Sequence, residues 1–403
     1  MSPLLTVRDA HARVIAAFDR LPAEMVSVAD AAGRVLAQSP QARLTQPPAD
    51  LSAMDGYAVR AEDVPAAATT LKLVGQAPAG GSYDHALKPG EAVRIFTGAP
   101  VPAGADLVII QEEAVRDGET VRFEAGADPK SNIRAAGGDF KAGDGLLPPG
   151  VVVDPWRLCL VASAGLAEVP VARRPRVAIL ATGDELVAPG EPVGRDQIVA
   201  SNSFSLAALV EKAGGAVLDL GIASDDHADL AAKIAQARSA DADVLITLGG
   251  ASVGAHDLVQ AALTRAGMAL GFWKIAMRPG KPMMTGRLGR MVVVGLPGNP
   301  VSSIVCGHLF VLPLIEALLG MADADRDRSI PALLGRDMPG NDEREDYLRS
   351  ELVLTPDGWV AMPFDRQDSS MLGTLARAQA LTIRPAHAAP ARKGDACRIL
   401  PLR

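Results

Sequence analysis

The spacing of apolar residues changes character three times along the chain, and each change predicts a different kind of element. Near the N-terminus Val7, Val14 and Phe18 fall on one helical face, and Thr6 with Asp9 three residues later forms a capping pair. Pro47-Pro48 ends that region. From about residue 50 to 140 short apolar runs, such as Leu71–Val74 and Leu107–Ile110, lie between glycines and prolines, which predicts a β-rich unit with long loops. From about residue 173 strand and helix patterns alternate. Val177–Ala181, Val217–Ile222, Val244–Leu248, Ala269–Ile275 and Met291–Val294 read as strands. Helices are expected from about Ser203 to Lys212, then to about Arg238, then to near Gly267, and a long one from near Pro300, kinked at Pro313. Near the C-terminus, alternating segments Tyr347–Leu354 and Trp359–Met362 flank the turn Thr355-Pro-Asp-Gly358.

The fold class this predicts is multidomain α/β. A central doubly wound, mostly parallel α/β unit (173–325) is joined by a β-rich unit (47–140) and a small C-terminal β unit resembling a barrel (326–403). An N-terminal helical and linker region (1–46 with 141–172) completes it. No fixed-period repeat is present.

The 403 residues are 48% hydrophobic, enough for several cores. The net charge of −7 argues against nucleic acid or an anionic membrane as main partner. No uninterrupted apolar run of about 18 residues suggests a membrane span. The N-terminus lacks a signal-peptide core, and Cys159, Cys306 and Cys397 are few and far apart. They read as free thiols, so a cytoplasmic location is expected.

Candidate chemistry gathers after the α/β strands, at Thr182–Glu185, Ser224–Asp226, Gly249–Asp257, Arg278–Pro282 and Leu296–Ser302. Ligands of open α/β sheets bind at that edge. Glu185, Asp225 and Asp257 place carboxylates on three of these loops, which favours a hard divalent cation such as Mg²⁺; separate solvated carboxylates are the plain alternative. From Lys274 to Arg290 the chain carries five positive charges, Lys274, Arg278, Lys281, Arg287 and Arg290, and no acid. Its prolines and glycine stiffen the loop bearing Arg278 and Lys281. Such a basic run beside a cation suits a phosphate or other oxyanion substrate, although a solvated basic face would look the same. Leu296-Pro-Gly-Asn-Pro300 feeds a helix N-terminus with Ser302 in its first turn, a natural anion site. Gly250-Ala-Ser252-Val-Gly254 also satisfies a hydrolase elbow, but His308 lies within a helix and His387 in another unit, so no free catalytic histidine follows it. In the β-rich unit Asp55, Thr97 and Asp139 each stand beside a turn glycine, which turn chemistry alone would explain.

Together these motifs resemble the MoeA family of molybdopterin molybdotransferases, which includes the E domain of gephyrin. The carriers are Ser52-Ala-Met-Asp-Gly-Tyr-Ala58, Arg94-Ile-Phe-Thr-Gly-Ala-Pro100, Asn132-Ile-Arg134 with Gly138-Asp139, Thr182-Gly-Asp-Glu-Leu186, Gly249-Gly-Ala-Ser-Val-Gly254 with Asp257, Pro279-Gly-Lys-Pro282 and Leu296-Pro-Gly-Asn-Pro-Val-Ser302. The resemblance implies the last step of molybdenum cofactor assembly. Adenylylated molybdopterin and molybdate are the substrates, AMP is released with a divalent cation, and the protein is a homodimer. The pathway's adenylylating enzyme and downstream apo-molybdoenzymes are the expected protein partners. Carried over motif by motif, the functional residues are Asp55, Thr97, Asp139, Glu185, Asp225 and Asp257. The molybdate pocket falls on Arg278, Lys281, Pro282, Ser302, Arg349 and Ser369, with Ser252 close by and Lys274 in the same basic run. Arg349 lies far downstream, so the oxyanion is expected between the α/β and C-terminal units. Departures from the family pattern are Arg278 for lysine, Leu248 for a small polar residue, Gly138 for an acid, Asp368 for glycine and Gln379 for asparagine. A non-catalytic scaffold of the same fold is the alternative; the joint presence of carboxylates and basic residues speaks against it.

Overall fold

A computed structural model describes residues 4–16, 20–65, 68–124, 132–250 and 258–402. The Thr6 hydroxyl accepts the Asp9 N–H at 3.1 Å and donates to the Asp9 carboxylate at 2.8 Å, so helix Val7–Ala16 starts where the capping pair places it. Its Ala10 and Val14 are buried in the main α/β core. Phe18 lies outside the described residues. Strand Ala23–Ser27 pairs antiparallel with Glu168–Ala172. Isolated bridges Val35–Val152, Gln41–Gly145 and Gln46–Phe140 join an outgoing and a returning chain. These segments carry their own small core, including Leu36, Val161 and Val171.

The β-rich unit is a six-stranded mixed sheet in the order Leu107–Ile110, Gly56–Val59, Glu91–Ile95, Thr69–Ala77, Thr120–Phe123, Ala114–Asp117. Alternate residues serve opposite faces. Tyr57, Val59, Leu107 and Ile109 enter one cluster, whereas Ala58 and Val108 enter another.

In the α/β unit the strand order is Ala216–Ala223, Arg176–Thr182, Val244–Leu248, Met291–Leu296, Met284–Leu288, Ala269–Trp273. The first four are parallel, and Met284–Leu288 runs antiparallel to both of its neighbours. Helices Asn202–Lys212, His227–Ser239 and Leu258–Arg265 fall where the periodicity puts them. The sequence did not disclose strand Met284–Leu288, because Met-Thr-Gly-Arg-Leu is short and sits inside the basic run. It is paired on both sides, and that pairing makes it a strand.

Pro300–Leu318 is long and apolar enough on average to cross a membrane by length and composition alone, although Ser302, Ser303, His308 and Glu316 interrupt its apolar run. It is a core helix instead: 78% of it is buried, with Val305, Phe310, Leu314 and Ile315 in the main cluster. The irregularity expected at Pro313 takes the form of a π-helical turn over Gly307–Val311, with the Leu312 N–H reaching the Gly307 carbonyl. A π turn lengthens the hydrogen-bond loop just where proline withholds its N–H.

The C-terminal unit closes into a five-stranded barrel. Glu345–Thr355 pairs with Gly358–Pro363 and with Ala380–Arg384, and Ile330–Leu334 and Ala396–Pro401 complete the ring. Two residues from the α/β unit, Met277 and Arg278, pair in parallel with barrel residues Glu345 and Asp346. That seam sets the barrel against the sheet.

Candidate functional site

A cleft of about 790 Å³ opens at the C-terminal ends of the parallel strands. Thr182, Gly183 and Glu185 line it from one strand end, Asp225 from the next, Gly249 and Gly250 from the third, and Pro297–Pro300 from the fourth. Ser370 and Leu372 reach it from the C-terminal unit. Close backbone contacts hold the loops together. The Gly249 N–H donates to the Leu296 carbonyl at 3.2 Å, and the Asn202 amide donates to the Gly298 carbonyl at 2.7 Å. Gly249 has φ +100°, and a Cβ there would lie 2.8 Å from the Thr182 carbonyl oxygen, so a side chain is excluded twice over.

Glu185 folds back over Gly183. With φ +141° at Gly183, an added Cβ would come within 2.3 Å of the Glu185 carboxylate. The Asp225 N–H donates to the Asp184 carboxylate at 3.0 Å. Burial, followed by the negative charges of Asp184 and Glu185, pushes the Asp225 carboxyl above the usual carboxylate range. Two of the three carboxylates expected to hold a cation therefore share the cleft. Asp257, the third, and Ser252 lie outside the described residues, and among the described residues no three metal-ligating side chains converge. Asp184 was not singled out from the sequence, although it sits inside the Thr-Gly-Asp-Glu motif.

The basic run does not act as one face. Pro282 lines the cleft, and neighbouring Lys281 is exposed. Lys274 sits at φ +73° with its ammonium 4.5 Å from the centre of the Trp273 ring. The Arg278 guanidinium is held by the barrel: Nε donates to Asp346 at 2.9 Å, and Asp342 accepts at 3.2 Å. Arg278 therefore pins the two units together. Arg287 and Arg290 correct the sequence picture outright. The unforeseen strand Met284–Leu288 runs antiparallel to Met291–Leu296 and carries both arginines to the opposite edge of the sheet.

Ser302 is buried in the first turn of the long helix, and the Val301 N–H donates to the Ser369 carbonyl at 3.1 Å. Arg349 is 1% exposed. Its Nε donates to Gln367 at 3.1 Å and one terminal nitrogen to the Met371 carbonyl at 3.3 Å. No carboxylate among the described residues pairs with it. Burial lowers its pKa and the charge of Asp368 works the other way. Asp368 itself accepts the Ser370 N–H at 2.8 Å, shaping the turn that carries Ser369 and Ser370. Gln367 was not foreseen from the sequence; glutamine offers no motif by itself.

On the β-rich unit three distant segments meet. The Ser52 N–H donates to the Ala99 carbonyl at 2.9 Å, and the Ala53 N–H to the Asn132 carbonyl at 2.8 Å. This brings Asp55 and Thr97 together: the Thr97 N–H and hydroxyl both donate to one Asp55 oxygen at 2.8 Å. Those two bonds hold the Asp55 carboxyl below the usual range. Asp139 is exposed, its N–H donating to the Gln46 carbonyl at 3.0 Å. None of Asp55, Thr97 and Asp139 lines the cleft at the strand ends.

An α/β sheet with a carboxylate-bearing cleft at its strand ends, a barrel leaning on that cleft and, at the seam, a buried arginine with no carboxylate partner among the described residues make an enzyme-like cleft suited to an anionic ligand. Three family models match the chain: the MoeA N-terminal region (domain I and II) over residues 5–165, a probable molybdopterin binding domain over 178–317, and the MoeA C-terminal region (domain IV) over 331–402. Molybdopterin molybdenumtransferase of Haemophilus influenzae is 37% identical, covering 89% of this chain and 88% of its own. Molybdopterin molybdenumtransferase of a Nostoc species is 34% identical, with coverage of 95% and 91%. The crystal structure of the molybdopterin biosynthesis MoeA protein from Pyrococcus horikoshii superposes with a TM-score of 0.85 at 28% identity, over the full length of both chains. The chain belongs to the MoeA family and is an enzyme of molybdenum cofactor biosynthesis.

Proposed function

We propose that this enzyme transfers molybdenum from molybdate to adenylylated molybdopterin, releasing AMP. The observation that carries the reading is Arg349, a buried guanidinium with no carboxylate partner among the described residues, at the seam between barrel and cleft. A buried charge left unpaired is costly, and an oxyanion offsets that cost. Lys281 adds an exposed cation, and Ser302 adds a hydroxyl at a helix start. The Gly249 and Gly250 turn leaves room for a ring system against bare backbone.

Glu185 and Asp225, with Asp257, would hold Mg²⁺ or another divalent cation. Burial and then the charges of Asp184 and Glu185 raise the Asp225 pKa, and a cation would offset both the lost hydration and the repulsion, so the residues fit it. When bound, such an ion neutralises charge on the phosphate of the adenylyl bond. Asp55 and Thr97 form a preorganised pair on a different unit from the cleft. A homodimer that lays one chain's β-rich unit over its partner's cleft would unite the two groups.

The test is AMP release from adenylylated molybdopterin, measured with and without molybdate. Release is expected to depend on a divalent cation. Charge-assisted hydrogen bonds contribute about 1.5–3 kcal/mol each. Lys281→Gln and Arg349→Ala should therefore raise the molybdate half-saturation point roughly 10- to 100-fold while leaving pterin affinity nearly unchanged. If neither variant moves that point, the oxyanion site lies elsewhere.

A further inference from the structure

The displaced half of the basic run ends in a second concavity. At the N-terminal edge of the α/β sheet, opposite the cleft, a basin of about 570 Å³ is lined by six arginines and only two carboxylates. The hairpin Met284–Leu296 supplies Arg287 and Arg290. The foot of strand Arg176–Thr182 supplies Arg173 and Arg176, the end of helix His227–Ser239 supplies Arg238, and the N-terminal segment supplies Arg20.

The two carboxylates are already engaged. Asp243 takes a two-pronged bond from Arg173 at 2.9 and 3.0 Å and also accepts the Arg176 N–H at 2.8 Å. Asp241 stands 3.9 Å from the Arg176 guanidinium. Among the described residues, Arg20, Arg238 and Arg290 have no carboxylate partner, yet they share one concave wall. The chain as a whole carries −7, so this local excess of positive charge runs against its own composition.

We propose that the basin binds a small, multiply charged phosphate compound. Guanidinium groups keep their charge at any physiological pH and match phosphate oxygens in a two-pronged fashion. A concave wall of like charges focuses the field and draws in a counter-ion of high charge density. The basin's volume lies in the range of small-molecule sites. The acidity of the rest of the chain disfavours a long polyanion such as nucleic acid. Because the basin and the cleft lie at opposite edges of one sheet, the ligand would bind without competing for the cleft.

The probe is inorganic pyrophosphate, titrated calorimetrically into the full-length protein at physiological salt. Saturable binding at one site per chain is expected. The double variant Arg238→Gln/Arg290→Gln removes two exposed, unpaired charges, so its folding should be untouched, as a thermal melt would verify. It should bind pyrophosphate tenfold or more weakly. Lys281→Gln, at the opposite edge, should bind as the wild type does. The proposal fails if millimolar pyrophosphate gives no saturable heat. It fails equally if the double variant binds as tightly as wild type, or if Lys281→Gln alone abolishes binding, which would place the anion in the cleft. Binding of an acidic peptide or an oligonucleotide in place of pyrophosphate would also overturn it.

Discussion

Single side chains in this protein are tuned mostly by what buries them. Asp225 rises first because it is desolvated and then because Asp184 and Glu185 crowd it, and Asp55 falls because Thr97 gives it two hydrogen bonds. His308, read from the sequence as a helix residue, is lowered to about 4 by burial, with Lys212 and Arg328 adding to the effect. The sign for stability follows directly. Between its ordinary value near 6.5 and about 4 the unfolded chain binds a proton that the folded chain refuses. Stability should therefore fall as pH drops through that window, by at most about 3 kcal/mol from this group. His11, lowered for the same first reason, acts in the same direction. Urea unfolding at several pH values should show the loss, and His308→Gln should flatten part of it. A variant with the wild-type slope between pH 7 and 4 would remove His308 as the cause.

At the level of elements, burial on both faces is what made the central strands legible. Val244–Leu248 is apolar except for Thr247, and every residue of it is buried. The helix Pro300–Leu318 shows the limit of that logic. Its apolar length alone fits a membrane span, but its partners are the sheet and helix Asn202–Lys212. Phe310, fully buried within the π turn, should be among its most sensitive positions. Phe310→Ala is expected to cost about 3–5 kcal/mol through lost contact and the remaining cavity. The midpoint of urea denaturation measures this, and a loss below about 1 kcal/mol would mean the site collapses around the gap. Strand Met284–Leu288 illustrates the opposite case, a segment of weak strand character that two neighbours make into a strand.

For the molecule as a whole, the decisive joint is between the α/β unit and the barrel. Met277 and Arg278 add a short parallel pairing to barrel strand Glu345–Thr355, and Arg278 bonds to Asp346 and Asp342. The Asp346 side chain is almost wholly buried, so its bond to the half-exposed Arg278 is protected from solvent on one side. Asp346→Ala should destabilise the seam by about 1–3 kcal/mol. Because Arg349 and the Ser369–Ser370 turn belong to the barrel, loosening the joint should also raise the molybdate half-saturation point. Hydrogen exchange over residues 345–355 would report the loosening. Unchanged exchange and unchanged half-saturation would show that the backbone pairing alone holds the barrel.

What the sequence determined by itself was local. The Thr6–Asp9 cap, most of the α/β elements in their order, the turn glycines Gly183, Gly249 and Gly250, and the Thr355–Gly358 hairpin depend on residues a few positions apart, and periodicity and turn chemistry record such relations. The family motifs extended this to candidate side chains. Only the tertiary structure decided which charges meet. Asp55 finds Thr97 through the pairing of strands Gly56–Val59 and Glu91–Ile95. Arg278 is captured by carboxylates of the barrel, and Arg287 and Arg290 are carried away from Lys281 by one unforeseen strand. A charged side chain has no preferred partner written beside it. Its partner is whichever opposite charge the returning chain brings within reach, and chain return is set by sheet pairing and core packing rather than by local composition.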